Sequence, residues 1–269
     1  MIADREEPQA GDPPTSASPV VLLHGQPGSA RDWDRVVAAL DGRALPIAVD
    51  RPGWDGTSRP RDLRGNAEAV VEQLDARGFE RATLVGHSLG ATIAVWTAIE
   101  HPERVSALVL AAPAANRASL AALDRWLALP LAGTLASAAS MTGLGLALSA
   151  AWLRRLIARE AHVDEAYLQV SARILLSAWA RRAFTTEQRS LVRDLPGLET
   201  RLPGVRAPTW ILTGIEDRIV PAAAPRALAG QIPGATLVEL AGAGHLLPQL
   251  HAQQLVDAVM LAVAAAATH

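Results

Sequence analysis

Ser88 stands between two glycines in Gly86-His87-Ser88-Leu89-Gly90, directly after the apolar run 82–85 and before the Ala-rich stretch 89–100. A serine hydroxyl becomes a useful nucleophile when a base can take its proton and an acid orients that base. The G-x-S-x-G pattern in a sharp strand-to-helix turn fits this chemistry. The turn forces its central residue into an unfavourable backbone conformation, and the flanking glycines leave room for close backbone approach. The helix N-terminus beneath the hydroxyl favours developing negative charge. A phosphate cradle would need G-x-x-x-x-G-K-[ST] or G-x-G-x-x-G; neither is present, and no Lys or Arg adjoins the turn. A bare Gly-Ser turn is the remaining alternative, and other parts of the chain argue against it.

Seven histidines could supply the base. His24 and His87 fall at strand ends beside turns, which suits a structural role. His101 precedes Pro102, His162 belongs to a helical region, His251 lies on the final helix and His269 is terminal. His245 differs: it closes the Gly-rich loop 241–245 directly after the last strand, at the sheet edge that also bears Ser88. The acid is expected from another strand end, where Glu216 and Asp217 follow the strand 209–212, and either could serve. The oxyanion formed on acyl attack needs fixed donors. The turn His24-Gly25-Gln26-Pro27-Gly28 could present the Gln26 backbone N–H, and the Leu89 N–H, next after the nucleophile, would be the second donor.

The elements that must position these groups are legible as short apolar runs alternating with helical patterns. Strands are expected at 20–23, 45–49, 82–85, 105–110, 209–212 and 236–240, with helices at 29–40, 65–77, 89–100, 222–231 and 248–264. Continuous rather than alternating apolar strands point to a mostly parallel sheet buried on both faces by helices. Between 113 and 203 no strand is evident, only helical stretches such as 118–129, 151–160 and 164–181. The chain therefore divides into a flexible lead-in 1–17, an α/β core 18–112, an all-helical cap 113–203, and the rest of the core, 204–269.

Half the residues are apolar and the net charge is −2, an ordinary globular balance without the basic stripe of a nucleic-acid binder. Arg51, Arg59, Arg61 and Arg64 alternate with Asp50, Asp55 and Asp62, which reads as a solvated charged surface. The absence of cysteine excludes disulfides, thiolate metal sites and a cysteine nucleophile. The acidic, Pro-rich start lacks the apolar stretch of a signal peptide, so a cytoplasmic address is expected by default. From Trp126 to Leu153 no residue is charged, but Pro130, Gly133, Gly143 and Gly145 interrupt the run. Two short helices joined by a Gly turn over an apolar cavity are expected there, with peripheral membrane contact as an alternative. Trp126, Met141, Trp152 and Trp179 in this region are candidates for the cap or the pocket.

At this point the chain, from about residue 19 onward, resembles the α/β-hydrolase family. The resemblance rests on HGQPGSARDW at 24–33, VDRPGWDGTS at 49–58, GHSLG at 86–90, TGIEDRIVP at 213–221 and GAGH at 242–245. It implies Ser88 as nucleophile, Asp217 rather than Glu216 as acid, His245 as base, and the backbones of Gln26 and Leu89 as oxyanion donors. It implies the α/β-hydrolase fold with a helical cap, a small-molecule substrate, and no cofactor or metal. Residues 50–58 run one residue longer than the family's usual loop, so Trp54 and Asp55 are expected to sit differently near the pocket. The implied activity is cleavage of an ester, thioester or lactone of a small, largely apolar substrate through an acyl-enzyme. Carbon–carbon hydrolysis, perhydrolysis, acyl transfer, lyase or cyclase chemistry, or ligand sensing are the alternatives that such a site admits.

Overall fold

A computed structural model describes residues 18–267; the lead-in 1–17 and His269 lie outside the described residues. Six strands, β1 (Pro19–Leu23), β2 (Leu45–Val49), β3 (Ala82–His87), β4 (Val105–Ala111), β5 (Thr209–Gly214) and β6 (Thr236–Leu240), form one sheet in the order β2-β1-β3-β4-β5-β6. Every pairing is parallel. The chain steps from β1 outward to β2 and returns past it to β3, so the strand order reverses between β1 and β3. Ligands of open parallel sheets gather at such a crevice, at the carboxyl ends of the strands. Register aligns those ends: Leu23 pairs with Gly86, His87 with Ala111, and Gly214 with Leu240. The loops after residues 23, 87, 214 and 240 therefore open on one edge.

Side chains alternate across the strands into two cores. Val21, Leu23, Leu84, Leu108, Leu110 and Ile211 face α2 (Leu63–Asp75) and α3 (Leu89–Glu100). Val20, Leu22, Val85, Val109, Ala111 and Leu212 face α1 (Asp34–Leu40) and α11 (Ala252–Ala266). The expected face of the last helix is inward: Leu255, Val256 and Val259 are buried, and Met260 and Val263 pack beside them. β3 is buried throughout and β1, β4 and β5 at all but one position each, whereas β2 and β6, at the sheet edges, are only partly covered. Two boundaries move for local reasons. α2 begins at Leu63 because the Asp62 carboxylate caps it by accepting from the Gly65 N–H at 2.9 Å. The closing helix is broken at His251 (φ −129°) into α10 (Leu247–Leu250) and α11.

Between β4 and β5 come α4 (Ala122–Leu127), α5 (Ala132–Ser149), α6 (Ala151–Ala161), α7 (Glu165–Leu176) and α8 (Ala178–Arg201), and α9 (Ala223–Gln231) follows β5. The uncharged stretch is not two helices joined at a Gly turn. α5 runs unbroken through Gly143 and Gly145, and the chain bends after it, at Ala150 (φ −70°, ψ 111°). Gly145 serves packing instead: a Cβ there would lie 2.8 Å from Leu176 Cγ, so its absence lets α7 close on α5. The expected helix 164–181 likewise divides at Ser177, whose hydroxyl accepts from the Ala180 N–H and caps α8. α8 then continues to Arg201, with Pro196 inside it.

Candidate active site

β3 ends at His87, and Ser88 makes the turn into α3 with φ 53° and ψ −118°. Only a tightly held backbone keeps a residue other than glycine there. The Ser88 N–H donates to the Ala111 carbonyl at 2.9 Å, and its carbonyl accepts from Ala91 and Ala114. Gly86 and Gly90 make the turn possible by close approach: a Cβ on Gly86 would fall 2.4 Å from Gly90 O, and one on Gly90 would fall 2.2 Å from Leu23 O.

The loop after β1 passes directly over this turn, since a Cβ on Gly25 would stand 3.2 Å from Ser88 Cβ. Among the described residues the Gln26 N–H has no protein acceptor. Leu89 opens α3, where its N–H has no intrahelical partner. Both are therefore free to serve an oxyanion.

His245 and Asp217 meet from the loops after β6 and β5. His245 Nδ1 lies 2.8 Å from Asp217 Oδ2, while Asp217 Oδ1 accepts from the Ile219 and Val220 N–H groups at 2.8 and 2.9 Å. Burial pushes the Asp217 carboxyl up, but the His245 contact and these N–H groups outweigh it and hold the carboxyl below its usual range. An ionised carboxylate on Nδ1 makes that nitrogen the donor and leaves Nε2 as the basic one. Glu216, the other candidate, is exposed.

His24 and His87 are both engaged by backbone groups. His24 Nδ1 donates to Gly25 O at 2.8 Å and its Nε2 accepts from the Arg51 N–H at 3.2 Å. Burial lowers its pKa well below the ordinary value, with the Arg51 charge adding to the effect. His87 Nε2 donates to the His245 carbonyl at 2.9 Å. Burial and the neighbouring His245 ring lower His87 to about 3, so it is a neutral backstop behind that loop.

Ser88, His245, Gln26 and Gly25 share a cavity of about 270 Å³. α5 and α7 supply a largely aliphatic part of its wall, including Leu144, Leu148, Leu168, Ile174 and Leu175, and His87, Ile219, Leu246 and Gln249 line it from the core loops and α10. Among the described residues no Arg lines it, and Asp32 is the one carboxylate that does.

Five other candidates lie outside that lining. Trp54 is buried against His24, its indole N–H drawn to Glu187 Oε1 at 3.0 Å. Met141 belongs to the interior of the helical insertion, and Trp179 packs at the margin of that cluster. Trp126 and Trp152 lie on outer faces of α4 and α6 and are exposed. The extra loop residue is absorbed by a local turn, in which Asp55 Oδ1 accepts from the Thr57 and Ser58 N–H groups.

The charge cluster at 50–64 is not wholly solvated. Arg51 is buried, paired with Glu187 of α8, and donates to the carbonyls of His24 at 3.0 Å and Gly25 at 2.9 Å. The next residue of α8, Gln188, accepts from Gln26 Nε2 at 2.7 Å. Sequence reasoning did not find Glu187 and Gln188. The available signal was spacing: Ala180, Ala183, Glu187 and Leu191 recur every three or four residues on the buried face of α8.

A profile of the family described as "Alpha/beta hydrolase family" matches residues 20–258. The chain is 30% identical to 2-hydroxymuconate semialdehyde hydrolase of Pseudomonas putida, over 77% of this chain and 73% of that one. It is also 30% identical, over 86% of each, to a Klebsiella pneumoniae (strain 342) protein whose name marks it as a carbamate hydrolase. Among solved structures, a thermophilic esterase from Thermogutta terrifontis superposes with a TM-score of 0.67 at 20% identity, covering 93% of this chain and 90% of that one.

Proposed function

Since the chain belongs to the α/β hydrolase family, we propose that it is a serine hydrolase of neutral, largely apolar esters, thioesters or lactones. The observation that carries this reading is the Asp217–His245 pair on the cavity shared with the strained Ser88.

In this reading the Ser88 hydroxyl attacks the acyl carbonyl carbon while His245 Nε2 takes its proton. Asp217 holds the imidazole in the required tautomer and stabilises the imidazolium. The carbonyl oxygen becomes the oxyanion, which the Gln26 and Leu89 N–H groups receive. His245 returns the proton to the departing alkoxide or thiolate, leaving the acyl group on Ser88. A water, deprotonated by His245, then attacks the ester, and the acid leaves as Ser88 regains its proton. Substrate class follows from the wall. Aliphatic side chains from α5 and α7 suit an apolar acyl or alcohol group, and a carboxylate-bearing substrate would be buried there without a compensating Arg.

The likeness to 2-hydroxymuconate semialdehyde hydrolase favours carbon–carbon bond hydrolysis as the second reading. An ester panel of increasing acyl length, together with 2-hydroxymuconate semialdehyde, tests both. Wild type should hydrolyse the neutral esters faster, and Ser88→Ala should hydrolyse none. Ester hydrolysis surviving in Ser88→Ala would sink the mechanism; preference for the semialdehyde would favour the second reading.

A further inference from the structure

The outer surface of the inserted helices differs in character from the rest of the molecule. Leu131, Leu135, Ala139, Gly143 and Leu146 recur every three or four residues at and along α5, and all are exposed; Leu131 is 79% and Leu135 70% exposed. α6 leaves α5 at 93° and adds Trp152, 69% exposed, and Leu156. Arg154 fixes this corner by donating from Nη1 to the carbonyls of Leu148 (3.1 Å) and Ser149 (3.4 Å), which end α5. A contiguous exposed apolar face of this kind marks an interaction surface.

Arginines frame the face. Arg155 and Arg159 occupy exposed positions one turn apart on α6, Arg155 within 3.7 Å of Glu165, Arg125 is exposed on α4, and Arg189 reaches from α8 to Thr134 of α5. Residues 113–203 contain eleven Arg against seven Asp and Glu, a net +4, in a chain whose total is −2. We propose that the α5–α6 elbow docks on the surface of an anionic phospholipid bilayer, its leucines and Trp152 entering the headgroup region and its arginines pairing with lipid phosphates.

Charge sets this occupant apart from a second copy of the chain, which would bring +4 against +4. No single helix among the described residues is long and apolar enough to cross a membrane. The elbow's second arm carries Arg154, Arg155 and Arg159, which would be costly at the bilayer centre, so the pair lies in the interface. Leu144, on another flank of α5, is half exposed and lines the cavity.

The inference is independent of what Ser88 does, and its test needs no turnover. The full chain is sedimented with vesicles of phosphatidylcholine alone or enriched in phosphatidylglycerol. Binding should require phosphatidylglycerol and fall steeply with salt. Leu135→Gln with Leu146→Gln, and separately Arg155→Glu with Arg159→Glu, should each weaken it by roughly tenfold or more. Circular dichroism checks that both variants fold. Binding to neither vesicle type, equal binding to both, or binding unchanged in either variant would overturn the proposal. So would a wild-type dimer that the leucine substitutions convert to monomer, because the face would then belong to a second copy.

Discussion

Arg51 and Glu187 form an ion pair with side chains 2% and 0% exposed, joining the sheet edge to α8. The same guanidinium holds the carbonyls of His24 and Gly25, so the pair braces the loop that presents the Gln26 N–H. Removing one partner of a buried pair strands the other charge, which typically costs about 3–5 kcal/mol. Glu187→Ala should therefore lower stability by about that amount in urea denaturation. With Gln26 acting as proposed, it should also reduce kcat more than it raises KM, because an oxyanion donor acts in the transition state. Arg51→Met combined with Glu187→Met should cost clearly less than the sum of the two single changes. Strict additivity would show that the two side chains are not coupled.

Asp217 and Glu216 are neighbours with different surroundings, since only Asp217 is buried against His245. Asp217→Asn keeps the shape but offers Nδ1 the wrong partner, and kcat for a short-chain ester should fall by roughly 10³–10⁴. Glu216→Gln should stay within about twofold of wild type, as expected for an exposed side chain without a contact to the base. Steady-state kinetics on the two variants decides the assignment.

The glycines divide by what surrounds them. Gly90→Ala would place a methyl 2.2 Å from Leu23 O, and backbone cannot yield there, so a loss of about 3 kcal/mol or more is expected. Gly143 is exposed within α5 and a Cβ there meets nothing within 4 Å. Gly143→Ala should therefore stabilise the fold by about 0.5–1 kcal/mol. Chemical denaturation of both variants reads the contrast directly.

Burial raises the Asp32 carboxyl to about 7. Between its unfolded value near 3.8 and pH 7, the native protein retains a proton that the unfolded chain has released. Stability supplied by this group is thus greatest at low pH and declines across that window, by about 1.4 kcal/mol per pH unit. Asp32→Asn abolishes the titration. Its melting temperature should match that of wild type near pH 4 and exceed it increasingly towards pH 8. A constant difference between the two across this range would contradict the shift.

Much of this was legible from local pattern. β1, β3, β4 and β5 are short, mainly apolar runs because both faces of the sheet are covered. Position along the chain alone could place Ser88, Asp217 and His245 at one edge, because parallel strands put all their carboxyl ends together. The insertion was less legible for physical reasons. An uncharged helix such as α5 has no polar face to betray its orientation, and its glycines resemble breaks when their purpose is contact with α7. Arg51 sat in a run of alternating charges and gave no local sign of burial. Its partner lies 136 residues away, a separation that no short-range pattern spans.

The grip of α8 on loop 24–28, through Glu187 on Arg51 and Gln188 on Gln26, has a bearing on how this molecule can diverge. The aliphatic part of the cavity wall is drawn from α5 and α7, whereas the loop that faces Ser88 is braced by α8. Substitutions at Leu148, Leu168 or Ile174 can redraw which molecules fit while leaving those bracing contacts untouched. Inheritance of the reaction and drift in its clientele are thereby assigned to different helices of one insertion.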